Sequence, residues 1–279
     1  MKYIILALKG IAMGIANAIP GVSGGTIAVI TKIYDELLES ITPNIKKLIK
    51  NIPFLLPVGI GMIIGILLAA KVLAFLFETY NVPTQLFFMG IILGSMPMIY
   101  QEATREKKLQ PINIIPFLIG AGIMIGMFFI RTDNISSVDS SLTVGNAVLF
   151  VLAAFLAAVA MIIPGISGAL VMKILGAYDA AIMALNDMNI PVILLFAVGA
   201  IVGIFVAAKV ISMLLKKFRK ETYCIIAGLI IGSVPSVFPS GFRFDAQGIV
   251  GIILLVVGLA VPTLSELPSK NKLKAKEND

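Results

Sequence analysis

The sequence predicts an all-α integral membrane protein with an inverted-topology repeat, each half being a re-entrant helical hairpin plus three transmembrane helices. Three observations carry that expectation. Hydrophobic residues make up 59% of the chain and charged residues 13%, with a mean hydropathy of +1.03. A soluble fold of 279 residues would need far more polar surface. A helix-breaking stretch, Pro20-Gly21-Val22-Ser23-Gly24-Gly25-Thr26, returns as Pro164-Gly165-Ile166-Ser167-Gly168-Ala169-Leu170. The basic residues fall in short clusters between apolar runs, as loops on one side of a membrane do.

The duplication extends beyond the motif. At an offset of 144, Ala16, Ile19, Pro20, Gly21, Ser23, Gly24, Ile30, Tyr34 and Asp35 recur in 160–179. At an offset of 138, Gly61, Gly65, Lys71, Gly90, Gly94, Ser95 and Pro97 match Gly199, Gly203, Lys209, Gly228, Gly232, Ser233 and Pro235. The change of offset is assigned to a longer basic loop at about 40–52 in the first copy. The first repeat is therefore placed at 1–131 and the second at 144–262, followed by a basic, irregular cytoplasmic tail at 263–279.

In chain order, 3–40 carries two short apolar arms around Pro20-Gly21 and reads as a hairpin that returns to its own side. A tight pair of short spans satisfies the same pattern. Ala16-Asn17-Ala18 resembles a signal-peptide cleavage site, but Lys9 interrupts the apolar stretch, so an uncleaved membrane segment is expected. Spans follow at about 53–77, 84–100 and 112–130, each of a length that crosses a bilayer. The second half repeats the order, with a hairpin at 145–185 and spans at about 191–215, 222–238 and 247–262. With the N-terminus inside and both hairpins returning, the clusters around Lys46, Lys107, Lys216 and Lys272 all lie on the cytoplasmic side. Arg131 and Arg243 lie outside. A hairpin plus three spans is an odd number of crossings, so the second half is inverted relative to the first.

The net charge of +7 belongs to those loops rather than to a nucleic-acid surface. Histidine is absent and Cys224 stands alone, which gives no disulfide, no expected metal site and no cofactor. The Pro-Gly-x-Ser-Gly sequence ends one half-helix and starts another near Ser23 or Ser167. A serine hydroxyl and free backbone N–H groups at that positive end would make an anion site. Pro20, Gly21, Ser23, Gly24, Gly25, Thr26, Gly165, Ser167 and Gly168 are the expected substrate-binding residues. The plainer reading is that the glycines only permit a tight turn. Lys71 and Lys209, repeat mates inside long apolar helices, would supply cations beside the motif, with snorkelling as the alternative. Asp35 and Asp179, each following a tyrosine, are candidate proton-coupling groups or interface anchors. Gly90-x-x-x-Gly94-Ser95 and Gly228-x-x-x-Gly232-Ser233 read as close helix packing followed by a helix end.

The run from Lys9 to Thr26, with the second Pro164-Gly165-Ile166-Ser167-Gly168 and the two Gly-Ser-x-Pro elements, resembles the PopT family of bacterial polyprenyl-phosphate transporters. The resemblance covers about 9–262. It implies translocation of undecaprenyl phosphate from the outer to the cytoplasmic leaflet of the plasma membrane, recycling the lipid carrier of cell-envelope synthesis. The implied partners are that anionic lipid and the surrounding bilayer; the oligomeric state is left open, a homo-oligomer included. The motif is also similar to the Pro-Gly-x-Ser-Arg-Ser of undecaprenyl-pyrophosphate phosphatases. Here Gly24 and Gly168 stand where those enzymes have arginine, which argues against phosphoryl chemistry. A carrier of small anions is the remaining alternative.

Overall fold

The computed structural model describes residues 2–17, 23–105, 108–130, 138 and 142–277, with side chains for all of these except 70, 71, 74 and 264–277. Every regular element among them is helical. The first half comprises α1 (Lys2–Asn17), α2 (Gly24–Ile30), α3 (Tyr34–Ser40), α4 (Ile45–Thr79), α5 (Asn81–Gly94), α6 (Met96–Thr104) and α7 (Ile114–Phe129). The second comprises α8 (Val144–Ile162), α9 (Gly168–Ile174), α10 (Tyr178–Asn186), α11 (Ile190–Lys217), α12 (Arg219–Gly232), α13 (Val234–Val237) and α14 (Ala246–Glu277).

Among the described residues six stretches are long and apolar enough to cross a membrane: Ile45–Ala69, Asn81–Thr104, Pro111–Phe129, Val144–Ile162, Ile190–Lys217 and Ala246–Thr263. They are not quite the six expected. The 19 residues of α8 extend about 28 Å, close to the ~30 Å of a hydrocarbon core, so this arm can cross alone. The expected span at 222–238 is instead α12, ended at Ser233, and the short α13. After α8 the chain folds back through α9 and α10, which meet at 105°. Large apolar side chains such as Leu67, Phe129 and Val144 are left exposed on the outer helices, where a soluble protein would leave a liability and a membrane protein meets lipid.

The expected loop at 40–52 is shorter than the sequence suggests. Asn44 caps α4 by accepting from Lys47 N at 3.2 Å, so Lys46, Lys47 and Lys50 lie on the first turns of a 35-residue helix. The residues behind the change of offset mainly lengthen that helix. The tail differs as well: α14 continues through Glu277, in keeping with a composition of lysine, leucine, alanine and glutamate, all good helix formers.

Packing follows the duplication. Helix α1 lies on α4 and α8 on α11, while α5 packs on α14 and α12 on α7. Thus α5 and α12 each pair with the last long helix of the other half, and both halves share the main core. Glycines set the approach. A Cβ on Gly61 would strike the Ala7 carbonyl, and one on its mate Gly199 the Val151 carbonyl. One on Gly90 would strike the Leu255 carbonyl, and one on Gly228 that of Phe117. Each partner is also the repeat mate of its counterpart. Ser95 and Ser233, both fully buried, then end α5 and α12 by donating to the Ile92 and Ile230 carbonyls at 2.6 Å and 2.8 Å. The expected close packing followed by a helix end holds in both halves.

Candidate functional site

The first motif follows α1 in the chain. Pro20 and Gly21 lie outside the described residues. Ser23 caps α2: its hydroxyl accepts from Gly25 N at 3.1 Å, and its carbonyl takes Thr26 N at 3.0 Å. The Asn17 side chain accepts from Gly24 N at 2.8 Å. A Cβ on Gly24 would fall 2.6 Å from the Asn17 side chain, so only glycine admits this bond. Among the described residues, the N–H groups of Gly24, Gly25, Thr26 and Ile27 are therefore all occupied within the chain, the first two by side-chain oxygens. Ser23 and Thr26 are 2% and 3% exposed.

The two motifs meet. Gly25 lies against the entry to the second motif, where an added Cβ would be 3.0 Å from the Ile162 carbonyl oxygen and 3.3 Å from Pro164 N. The buried Tyr34 donates its hydroxyl to the same Ile162 carbonyl at 3.2 Å. That carbonyl belongs to the last turn of α8, where intrahelical donors run out. Gly165 then takes φ +93, a left-handed conformation that favours glycine, with its backbone against Leu229 and Ile230 of α12. Ser167 caps α9 more loosely, accepting from Leu170 N at 3.5 Å, and Gly168 packs on the Ala157 carbonyl. Ser167 and Gly168 are half-buried, and Leu170 stands where the first copy has Thr26. The second tip is more open and less polar than the first.

Asp35 and Asp179 have diverged. Arg219 donates to Asp35 at 2.9 Å and to Glu102 at 2.6 Å, and the Tyr223 hydroxyl donates to the other Asp35 oxygen at 3.0 Å. The guanidinium also lies 5.0 Å from the Tyr223 ring centre. This cluster ties α3 to α6 and α12. Asp179 is exposed, next to Tyr178, whose ring carries Lys173. Sequence reasoning missed Arg219, Glu102, Tyr223 and Asn17. Arg219 was legible as unusual only in retrospect: a cation at a helix N-terminus opposes the helix dipole and needs acidic partners.

The Lys71 side chain lies outside the described residues. Lys209 lines a cavity of about 750 Å³ with Lys47, Lys216 and Lys217, and none of the described motif residues lines it. Among the described residues no cluster of His, Cys, Asp or Glu is arranged to hold a metal. The motif junction therefore offers, among the described residues, two buried hydroxyls and backbone N–H groups held by neutral oxygens.

The sequence matches the family model described as undecaprenyl phosphate translocase-like over residues 13–247. The chain belongs to that family. Among the relatives of this translocase-like chain is a polyprenyl-phosphate transporter of Vibrio cholerae, 32% identical over 86% of this chain and 79% of the relative. Another is a polyprenyl-phosphate transporter of Staphylococcus aureus, 26% identical over 95% of this chain and 97% of the relative. No solved structure matches the chain. With six apolar helices and relatives of this kind, the translocase-like protein is a multi-pass membrane transporter, not an enzyme.

Proposed function

We propose that this protein moves undecaprenyl phosphate from the outer to the cytoplasmic leaflet of the bacterial plasma membrane, returning the carrier to cell-envelope synthesis. The observation that carries the reading is the junction of the two broken motifs, where Gly25 and Tyr34 meet Ile162. The reading takes the two halves as inverted repeats whose motif regions are re-entrant, with both termini cytoplasmic. The charge bias of the loops, the exchanged pairing of the long helices and the 105° bend between α9 and α10 support it.

The head group would bind by replacing side chains. Gly24 N and Gly25 N are held by the neutral oxygens of Asn17 and Ser23. A phosphate oxygen makes shorter, stronger bonds to such donors, and the displaced Ser23 hydroxyl could turn to donate as well. Gly165, Ser167 and Gly168 would receive the head from the other motif. Lys71, as the mate of Lys209, remains a proposed cation for it. Of the two proposed proton-coupling aspartates, Asp35 is bonded to Arg219 and Tyr223, whereas Asp179 is exposed.

The test is leaflet exchange of a fluorescent polyprenyl monophosphate in vesicles containing the purified protein. Wild-type protein should exchange the lipid without releasing phosphate. Ser23→Ala should slow exchange roughly tenfold, the loss of one charge-assisted bond, while inserting normally. Exchange no faster than in empty vesicles, with flux of small anions instead, would sink the proposal.

A further inference from the structure

Beside the C-terminal end of α3 lies a groove that the motif does not explain. Its wall is one face of α11, where Lys209, Ser212, Met213 and Lys216 follow each other at helical spacing with Lys217 adjacent. Lys47 of α4 closes it from the other side, over Leu38, Ile41 and Thr42. The one carboxylate lining it, Glu39, is paired with Lys216 at 2.7 Å, and both side chains are more than half exposed. The groove therefore combines a surplus of ammonium groups with an apolar floor.

Lysines at a helix end commonly just favour the dipole or reach the membrane surface. Two features distinguish this set. Lys209 lies eight residues before Lys217, about 12 Å deeper along the helix, so the cations descend into a concavity rather than ringing its rim. The repeat does not require them either: Lys216 and Lys217 correspond to Glu78 and Thr79 in the first half. A second cavity, of about 220 Å³, shares Leu38, Glu39, Ser212 and Lys216 with the groove and ends on Asp35 and Arg219. Asp35 adjoins Tyr34, which reaches the motif junction.

We propose that this groove is a docking site for the phosphate monoester head of a prenyl lipid, a vestibule on the way to or from the motif junction. It rests on the transport reading above. The lysines neutralise the head, Thr42 and Ser212 can donate to it, and Leu38, Ile41 and Met213 take the first part of the tail.

The experiment measures binding of labelled farnesyl monophosphate, and of farnesol, to the full chain in phosphatidylcholine nanodiscs. One variant is Lys47→Gln/Lys216→Gln/Lys217→Gln; the other, Lys46→Gln/Lys50→Gln/Lys108→Gln, removes the same charge outside the groove. The groove variant should bind the monophosphate at least about tenfold more weakly, and the charge-matched control should stay within about threefold of wild type, because Lys46, Lys50 and Lys108 do not line the groove and act on a ligand there only through solvent. Farnesol binding should be equal in all three. Equal monophosphate affinity in the groove variant, or an equal loss in the control, overturns the docking site and leaves transport standing. Wild type that does not prefer the monophosphate to farnesol overturns the transport reading together with it. Competition by inorganic phosphate, or by phosphatidylglycerol, as effective as by unlabelled farnesyl monophosphate would refute the assignment to a prenyl monoester.

Discussion

Replacing Arg219 with methionine keeps an unbranched apolar stem and removes the charge that joins α3, α6 and α12. Its side chain is 12% exposed, that of Glu102 22% and that of Asp35 41%. A hydrogen bond between charged groups contributes about 1.5–3 kcal/mol when shielded, and that range fits the bond to Glu102. The bond to Asp35 is more exposed and is worth under about 1 kcal/mol. Arg105, 3.7 Å from Glu102 and largely exposed, offers little compensation. The expected destabilisation by Arg219→Met is roughly 2–4 kcal/mol, part of it from two carboxylates left facing each other. Reversible unfolding in mixed micelles, followed by the helical circular dichroism signal, gives the number. Glu102→Gln and the double variant complete a cycle whose coupling should be about 1–2 kcal/mol. A single variant within about 0.5 kcal/mol of wild type, or effects that simply add, would show that the cluster does not hold these helices together.

The glycines of α4 give a test of sign. Nothing lies within 4 Å of a Cβ built on Gly59, whereas one on Gly61 strikes the Ala7 carbonyl. In the same unfolding assay Gly59→Ala should stabilise by up to about 1 kcal/mol through helix propensity. Gly61→Ala should destabilise, because overpacking costs about 1–3 kcal/mol, and Gly199→Ala should do so alike. Gly176→Ala places a side chain at φ +69 and should cost about 0.5–1 kcal/mol, a left-handed penalty of ~1–2 kcal/mol less the entropy removed from the unfolded chain; a neutral result would mean that the turn relaxes to another conformation.

The features legible in the sequence were those with a single physical use. Small residues four apart, such as Gly90 with Gly94, serve close helix approach, and a Ser-x-Pro after them ends the helix. Pro164-Gly165 in an apolar run can only be a break, and the structure puts φ +93 there. Features that depend on neighbours were not legible. Whether α8 is a short arm or a full crossing turns on where Thr143 caps it, not on its hydropathy. Arg219 looked like one more loop cation because its acidic partners are 184 and 117 residues away in the chain. The N–H groups of α2 looked free because nothing in the sequence says that Asn17 folds back onto Gly24. Lys209 looked like a partner for the motif because its depth along α11 is readable, while the direction its face presents is not.

The duplication also separates scaffold from chemistry. Contacts that recur at both offsets, Gly61 with Ala7 and Gly199 with Val151, or Gly90 with Leu255 and Gly228 with Phe117, are the ones the fold needs twice. The polar contacts made by Asn17 and by the Arg219 cluster do not recur. Asn17 and Thr26 correspond to Met161 and Leu170, Tyr223 to Gln85, and Arg219 to Asn81. A repeat under structural selection alone has no reason to make one tip polar and enclosed and leave its mate half open. Unequal tips make sense when the two do different work on one ligand. In the proposed transport reading the enclosed tip would hold a desolvated head group with several donors, since unpaired charge at depth is costly. The open tip needs only to admit and release it. On this view the residues that break the repeat are the ones to examine for substrate handling, and Asn17, Thr26 and the Arg219 cluster stand first among them.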